Sequence, residues 1–207
     1  MTNTTSYRAI RIEPYEPRRL PVMLNYLYLL AIMIVIAAIL TAAMVMQYAM
    51  GELPCPLCLL QRAAMFGVCF GIMVQFRHGF SYQNTGLSLL FSIFLLIVSV
   101  RQTLLDIYPR PGHEYIGSAV FGLHLPVWSV LIALALLIAF AVKLAVLGGK
   151  DMLGARVADY PLISKIATVL SLYVILIALI NLVSVVLQCG FGECHTFGYA
   201  LLNQLRS

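Results

Sequence analysis

Residues 22–48 read Val22-MLNYLYLLAIMIVIAAILTAAMVMQ-Tyr48, without one charged side chain. A helix of about 20 residues crosses the roughly 30 Å hydrocarbon layer of a bilayer, so this run can span by itself. It exceeds the apolar segment of about 7–15 residues in a cleaved signal. No convincing small-x-small cleavage site follows before Cys55, so an uncleaved anchor is expected. Four more spanning stretches follow: Cys58–Phe76, Thr85–Leu105, Pro126–Leu147 and Ile163–Leu187. The whole chain is 62% hydrophobic and 10% charged, with mean hydropathy +0.96, against about 25% charged in soluble domains. The fold class is therefore all-α: a polytopic membrane helix bundle, four helices in a core with a fifth transmembrane helix at the carboxyl end. The expected divisions are 1–21 as a cytoplasmic arm stiffened by Pro14, Pro17 and Pro21, 22–147 as the four-helix core, 148–162 as a cytoplasmic loop, 163–187 as the fifth helix, and 188–207 as an outer tail.

Basic residues orient such a chain, because Lys and Arg accumulate on the cytoplasmic side. Nine lie together on one side: Arg8, Arg11, Arg18, Arg19, Arg77, Lys143, Lys150, Arg156 and Lys165. The other side has four, Arg62, Arg101, Arg110 and Arg206. The amino terminus is thus expected in the cytoplasm and the carboxyl terminus outside. This use of the basic residues accounts for the net charge of +5. No basic patch interleaved with aromatics appears, which argues against nucleic-acid binding.

With that orientation, four of the five cysteines fall outside, as two close pairs. Cys55-Pro56-Leu57-Cys58 sits in the short link after the first span, too near the bilayer to move far, since a residue reaches at most about 3.5 Å. A Cys-x-x-Cys pair is a two-electron redox switch or half a metal site. Arg62, four residues after Cys58, returns to nearly the same helix face, where a guanidinium favours the reactive thiolate. Cys58 in the first helical turn also sees the positive end of the helix dipole. A zinc site would need two more ligands, with Cys189, Cys194, His124 and His195 as candidates, and would leave Arg62 unexplained. The second pair, Cys189-Gly190-Phe191-Gly192-Glu193-Cys194, closes a small ring. It reads either as a clip on the last helix or as an exposed exchange site modulated by Glu193 and His195; an oxidising outer compartment permits both.

Other residues have two readings each. Cys69, alone within the second span, fits a small buried hydrophobe. Gly67 and Gly71 form a small-xxx-small packing face. His124 is a polar anchor or a proton donor to a quinone oxygen. Arg101 snorkels or joins Arg62 in one polar pocket. Trp128 fits the interfacial aromatic belt, and Asn25 and Asn181 fit helix–helix hydrogen bonding. The link Asp106–Leu125, rich in Gly, Pro and aromatics, suggests a partly embedded loop.

The run Cys55-Pro-Leu-Cys58-Leu-Leu-Gln61-Arg62, with Leu123-His124-Leu125-Pro126-Val127-Trp128 at the end of that loop, resembles the DsbB family of disulfide-bond-formation proteins across roughly residues 20–147. The resemblance implies a membrane oxidoreductase that reoxidises a periplasmic thioredoxin-fold dithiol protein, DsbA-like, and passes the electrons to a membrane quinone, ubiquinone or menaquinone. It implies a bacterial inner-membrane location. Cys55 and Cys58 match the quinone-proximal pair and Arg62 the quinone-contacting arginine. Two departures stand out. The family's second pair lies in the loop between spans three and four, which here has no cysteine, so Cys189 and Cys194 take its place. Where the family can carry a histidine in span three, this chain has Gln102. Two rivals remain: a transporter that moves reducing equivalents outward, and a non-enzymatic scaffold whose disulfides are structural.

Overall fold

The computed structural model describes residues 19–51, 53–108, 119–120, 122–149 and 157–190. Residues 1–18 of the expected arm, Arg110 and most of the Asp106–Leu125 link, Lys150, Arg156, Arg206, and Glu193, Cys194 and His195 lie outside the described residues, while residues 19–21, expected in the arm, begin the first helix. Among the described residues there are five long helices: α1 (Arg19–Ala49), α2 (Pro56–His78), α3 (Tyr82–Ile107), α4 (Leu125–Leu147) and α5 (Pro161–Cys189). Each is long and apolar enough to cross a membrane, so the protein is a multi-pass membrane helix bundle. A two-residue antiparallel pair, β1 (Ala119–Val120) with β2 (Leu123–His124), leads into α4; its turn includes Gly122 at φ +78°, a conformation that glycine adopts without strain. That pairing was not legible in a link read only as loop.

The helix boundaries follow from local chemistry. α2 starts two residues before the apolar run because Cys55 is its N-cap and Pro56 its first residue, where the missing N–H costs nothing. The Cys55 sulfur accepts the Cys58 N–H at 3.2 Å. α3 likewise begins early, capped by the Ser81 hydroxyl on Gln83 N–H. α4 and α5 each carry proline in the first turn.

α2 packs most extensively on α3, and α3 on α4; α1 and α5 lie against each other and against α2. Apolar transfer cannot drive helix association within lipid, so close packing and buried polar contacts must. Gly67 and Gly71 supply the first: a Cβ at Gly67 would overlap the Phe91 ring, and one at Gly71 would overlap the Ser88 hydroxyl and press on Ser88 N at 3.0 Å. Polar contacts supply the second. Tyr28 donates to Ala139 O at 3.0 Å across α1 and α4. Thr41 and Tyr173 share a 2.8 Å hydrogen bond across α1 and α5. At the end of the bundle away from Cys55, buried Lys143 bonds Gln75 and Thr85 and lies 5.0 Å from the centre of the Phe80 ring. Asn25 departs from expectation: it is fully buried, yet neither side-chain polar atom has a hydrogen-bond partner among the described residues. Large apolar side chains such as Leu27, Ile34, Leu90, Ile97 and Ile138 are exposed around the outside, as a lipid-facing surface requires.

Candidate functional site

The cysteine pair sits where the short α1–α2 link turns into α2. Cys55 is 8% exposed and Cys58 half-buried, and both are free thiols. A side-chain hydrogen bond with Cys58, together with burial, holds the Cys55 thiol well above the ordinary thiol range. In the dithiol, Cys55 therefore keeps its proton.

Arg62 follows one turn later and is 8% exposed. It donates through Nη1 to Gln47 Oε1 at 2.6 Å, Asn181 Oδ1 at 3.2 Å and the Met44 sulfur at 3.4 Å, and through Nη2 to Ala43 O at 3.0 Å. All four partners are neutral, so the guanidinium is held in place with its charge uncancelled by them. Gln47 in turn donates to Ser184 at 2.6 Å. Asn181 and Ser184, three residues apart on α5, thus join α1 and α2 around the cation. One turn on, Gln188 is fully buried and donates to Pro54 O at 2.9 Å. This bond places the end of α5 against the residue that precedes Cys55. Cys189 follows directly, is 8% exposed and is in a disulfide.

A third polar chain reaches the sulfurs from α3 and α4. Gln102 Nε2 lies 3.3 Å from the Cys58 sulfur and 3.4 Å from that of Cys55. Its Oε1 accepts from Gln61 Nε2 at 2.9 Å, and Gln61 Oε1 accepts from the Ser129 hydroxyl at 3.2 Å.

These groups border a cavity of about 420 Å³ between α1, the α1–α2 link, α2 and α4. Cys58, Gln61 and Arg62 line it together with Trp128 and Ser129, and Leu40, Met65 and Ile132 are among the apolar walls. That volume lies within the roughly 300–1,000 Å³ of small-molecule sites, and the mix of apolar walls and few polar groups is typical of them.

Of the residues singled out from sequence, the structure brings Cys55, Cys58 and Arg62 together and sets Cys189 at the same end of the bundle. It does not bring in Arg101, which is exposed on the outer face of α3 among Leu96, Ile97, Val100 and Leu104. The next residue, Gln102, turns inward instead, as one step of about 100° along a helix demands. His124 is exposed and only borders the cavity, whose wall starts at Leu125. Trp128, read as a belt residue, lines the cavity. Gln47, Ser184 and Gln188 carried no sequence signal beyond being polar within apolar runs; by the rule that intramembrane polar residues mark functional sites, they were findable. Among the described residues, no three His, Cys, Asp or Glu side chains converge as a metal set.

The family model described as disulfide bond formation protein DsbB matches residues 25–114. Over that segment the chain is similar to the DsbB family. No curated protein and no solved structure matches it. That similarity points to a role in disulfide bond formation, and hence to thiol oxidoreductase chemistry. The matched segment holds Cys55, Cys58, Arg62 and Gln102; α4, which walls the cavity, and α5, whose Asn181 bonds the arginine, lie beyond it.

Proposed function

We propose that this protein reoxidises a periplasmic thioredoxin-fold dithiol protein, similar to DsbA, and delivers the electrons to a membrane quinone, ubiquinone or menaquinone. One observation carries the reading: Cys58 and the buried cation Arg62 share the edge of an apolar cavity at the end of a transmembrane bundle. The bundle end with Cys55, Cys58 and Cys189 then faces the outside, as the nine-to-four division of basic residues favours, and the membrane is the bacterial inner membrane.

The cavity suits a quinone. Its walls are apolar, its volume accepts a substituted ring, and the described bonds of Arg62 use Nη1 and Nη2, which leaves Nε–H for an acceptor. Arg62, Trp128 and Gln61 would hold it. A bound quinone supplies a two-electron, two-proton acceptor. The chain's own residues do the rest. The partner's thiolate attacks the Cys189–Cys194 disulfide and the partner leaves oxidised. The reduced outer pair then passes two electrons to Cys55–Cys58 by thiol–disulfide exchange, each step one thiolate attacking one disulfide sulfur. Cys55 keeps its proton, so Cys58 is the sulfur that faces the cavity as a thiolate. Reforming the bond from the Cys55 thiol and the Cys58 thiolate releases two electrons and the Cys55 proton, the Cys58 proton having left on ionisation. Arg62, already fixed by four neutral partners, stabilises negative charge developing beside it without reorganising.

The test mixes purified protein, a reduced thioredoxin-fold partner and a soluble quinone analogue, and follows quinone absorbance. One quinone reduced per partner disulfide formed is the expected stoichiometry. Partner oxidation without quinone loss would refute the reading. Turnover by a Cys189→Ala/Cys194→Ala variant would restrict the route to Cys55 and Cys58.

A further inference from the structure

Gln102 is the one side chain whose described hydrogen bonds reach both sulfurs of the redox pair, and nothing in the redox route above uses it. We propose that Gln102 is a catalytic residue: its amide NH2 gives one N–H to each sulfur, so negative charge can sit on, and pass between, Cys55 and Cys58 without losing a donor. The proposal rests on the redox cycling of that pair.

The geometry supports it in three ways. The single nitrogen Nε2 is nearly equidistant from the two sulfurs, 3.3 and 3.4 Å, so neither sulfur is favoured by position. The amide is 6% exposed, so water does not compete for its hydrogens. Its oxygen is taken by Gln61 Nε2, and Gln61 Oε1 by the Ser129 hydroxyl, a chain that keeps N–H toward sulfur. The reversed chain would present Oε1 to the sulfurs, and neither a disulfide nor a thiolate has a hydrogen to give it. The orientation found is the one that serves every state of the cycle.

The chemistry needs such a group. When an incoming thiolate attacks one sulfur of the pair, a new S–S bond forms, the Cys55–Cys58 bond breaks, and the electron pair leaves on the other sulfur. Resolution transfers the attacking chain's bond and places charge on the sulfur first attacked. Reoxidation passes two electrons to the quinone acceptor named above, releases the proton still held by the pair and restores the bond. Charge therefore appears on both sulfurs in turn, while the α2 amino terminus gives its Cys58 N–H to the Cys55 sulfur at 3.2 Å, so the helix end alone does not serve the two alike. An amide fixed between them equalises the two. This is the logic of a preorganised oxyanion site transferred to sulfur.

The experiment uses the full-length protein, reduced in detergent, and measures alkylation of Cys58 by iodoacetamide through peptide mass. A hydrogen bond to a charged group changes an equilibrium about ten- to a hundredfold, and the rise in nucleophilicity of a less stabilised thiolate cancels about half of that logarithmically. Gln102→Met, close in size but without N–H, should therefore slow alkylation about three- to tenfold at pH 7. At strongly alkaline pH, where both proteins are fully thiolate, the order should reverse, because the less stabilised thiolate is the better nucleophile. Gln102→Glu keeps the shape and the acceptor for Gln61 but repels a thiolate, so it should be slower than Gln102→Met. Quinone-analogue turnover should lose kcat with KM unchanged. A Met variant as fast as the wild type, a Glu variant faster than Met, or a loss that persists at alkaline pH would overturn the proposal. If the Gln102 variants do not purify, Gln61→Leu disorients the amide without touching sulfur and should slow alkylation about two- to threefold by the same reasoning; no change overturns the proposal. Alkylation needs neither quinone nor partner, so its outcome stands apart from that of the turnover assay.

Discussion

Replacing Arg62 with alanine sets two comparable free-energy changes against each other, while the chemistry depends on only one of them. An arginine deep in a membrane helix costs about 2.5–3.5 kcal/mol on insertion scales, less near the boundary, and alanine removes that cost. Against it, Gln47 Oε1 and Asn181 Oδ1 lose their donor, at about 1–3 kcal/mol for each buried acceptor left bare. Ala43 O lies within α1, where the helix ladder still satisfies it. The difference is a destabilisation of about 0–3 kcal/mol. The variant should therefore fold with its disulfides intact and melt slightly earlier, as thermal unfolding in detergent would read. Turnover should fall far more, by about 10²–10³-fold, the usual loss when one preorganised donor to a developing charge is removed. Arg62→Lys should recover part of this: a point charge stays near Cys58, but the planar fork that reaches Gln47, Asn181 and Ala43 at once is gone. Unchanged quinone-analogue reduction in Arg62→Ala would remove the arginine from the chemistry. A loss of about 5 kcal/mol or more would make it a structural linchpin, since that exceeds the net of the two bared acceptors and the relieved insertion cost.

Gln188→Leu removes the bond to Pro54 O and also an Oε1 that has no partner among the described residues, so stability should change by no more than about 1 kcal/mol. Turnover with the protein partner should nonetheless slow, because the end of α5 is no longer held at the Cys55 turn, whereas oxidation of a small dithiol that reaches Cys58 directly should not. Equal slowing of both would make the contact purely structural. Gly71→Ala should lower the melting temperature more than Gly67→Ala, within the roughly 1–3 kcal/mol of overpacking. At Gly71 the added methyl meets Ser88 backbone, while at Gly67 it meets the half-buried Phe91 ring, which can swing outward. The reverse order would show that α3 is held at Phe91 instead.

Local signals carried much of the architecture. The apolar runs located all five helices to within a few residues of their ends. Most of the remaining discrepancy came from capping: Cys55 and Ser81 extend α2 and α3 past the points where apolarity stops. The redox pair and its arginine were legible for the same reason. Cys55, Cys58 and Arg62 fall within eight residues at one helix start, and helical spacing alone puts Cys58 and Arg62 on one wall.

Partners distant in the chain were not legible. Arg101 and Gln102 are adjacent, and a charge drew the sequence reading to the first; packing of α3 on α2 turned the second toward the sulfurs. Asn181, Ser184 and Gln188 come from a helix more than a hundred residues beyond Arg62 and Pro54, yet they cage the one and hold the other. In a soluble helix the polar face would have pointed to solvent and given the inward side away. In lipid every face is apolar, so periodicity cannot say which side meets a neighbour. The sequence by itself determined five spans, their ends and a thiol pair with a cation one turn away. Which helices enclose that pair, and which amides touch its sulfurs, was decided by close packing of small residues and by the cost of leaving a buried polar group unpaired.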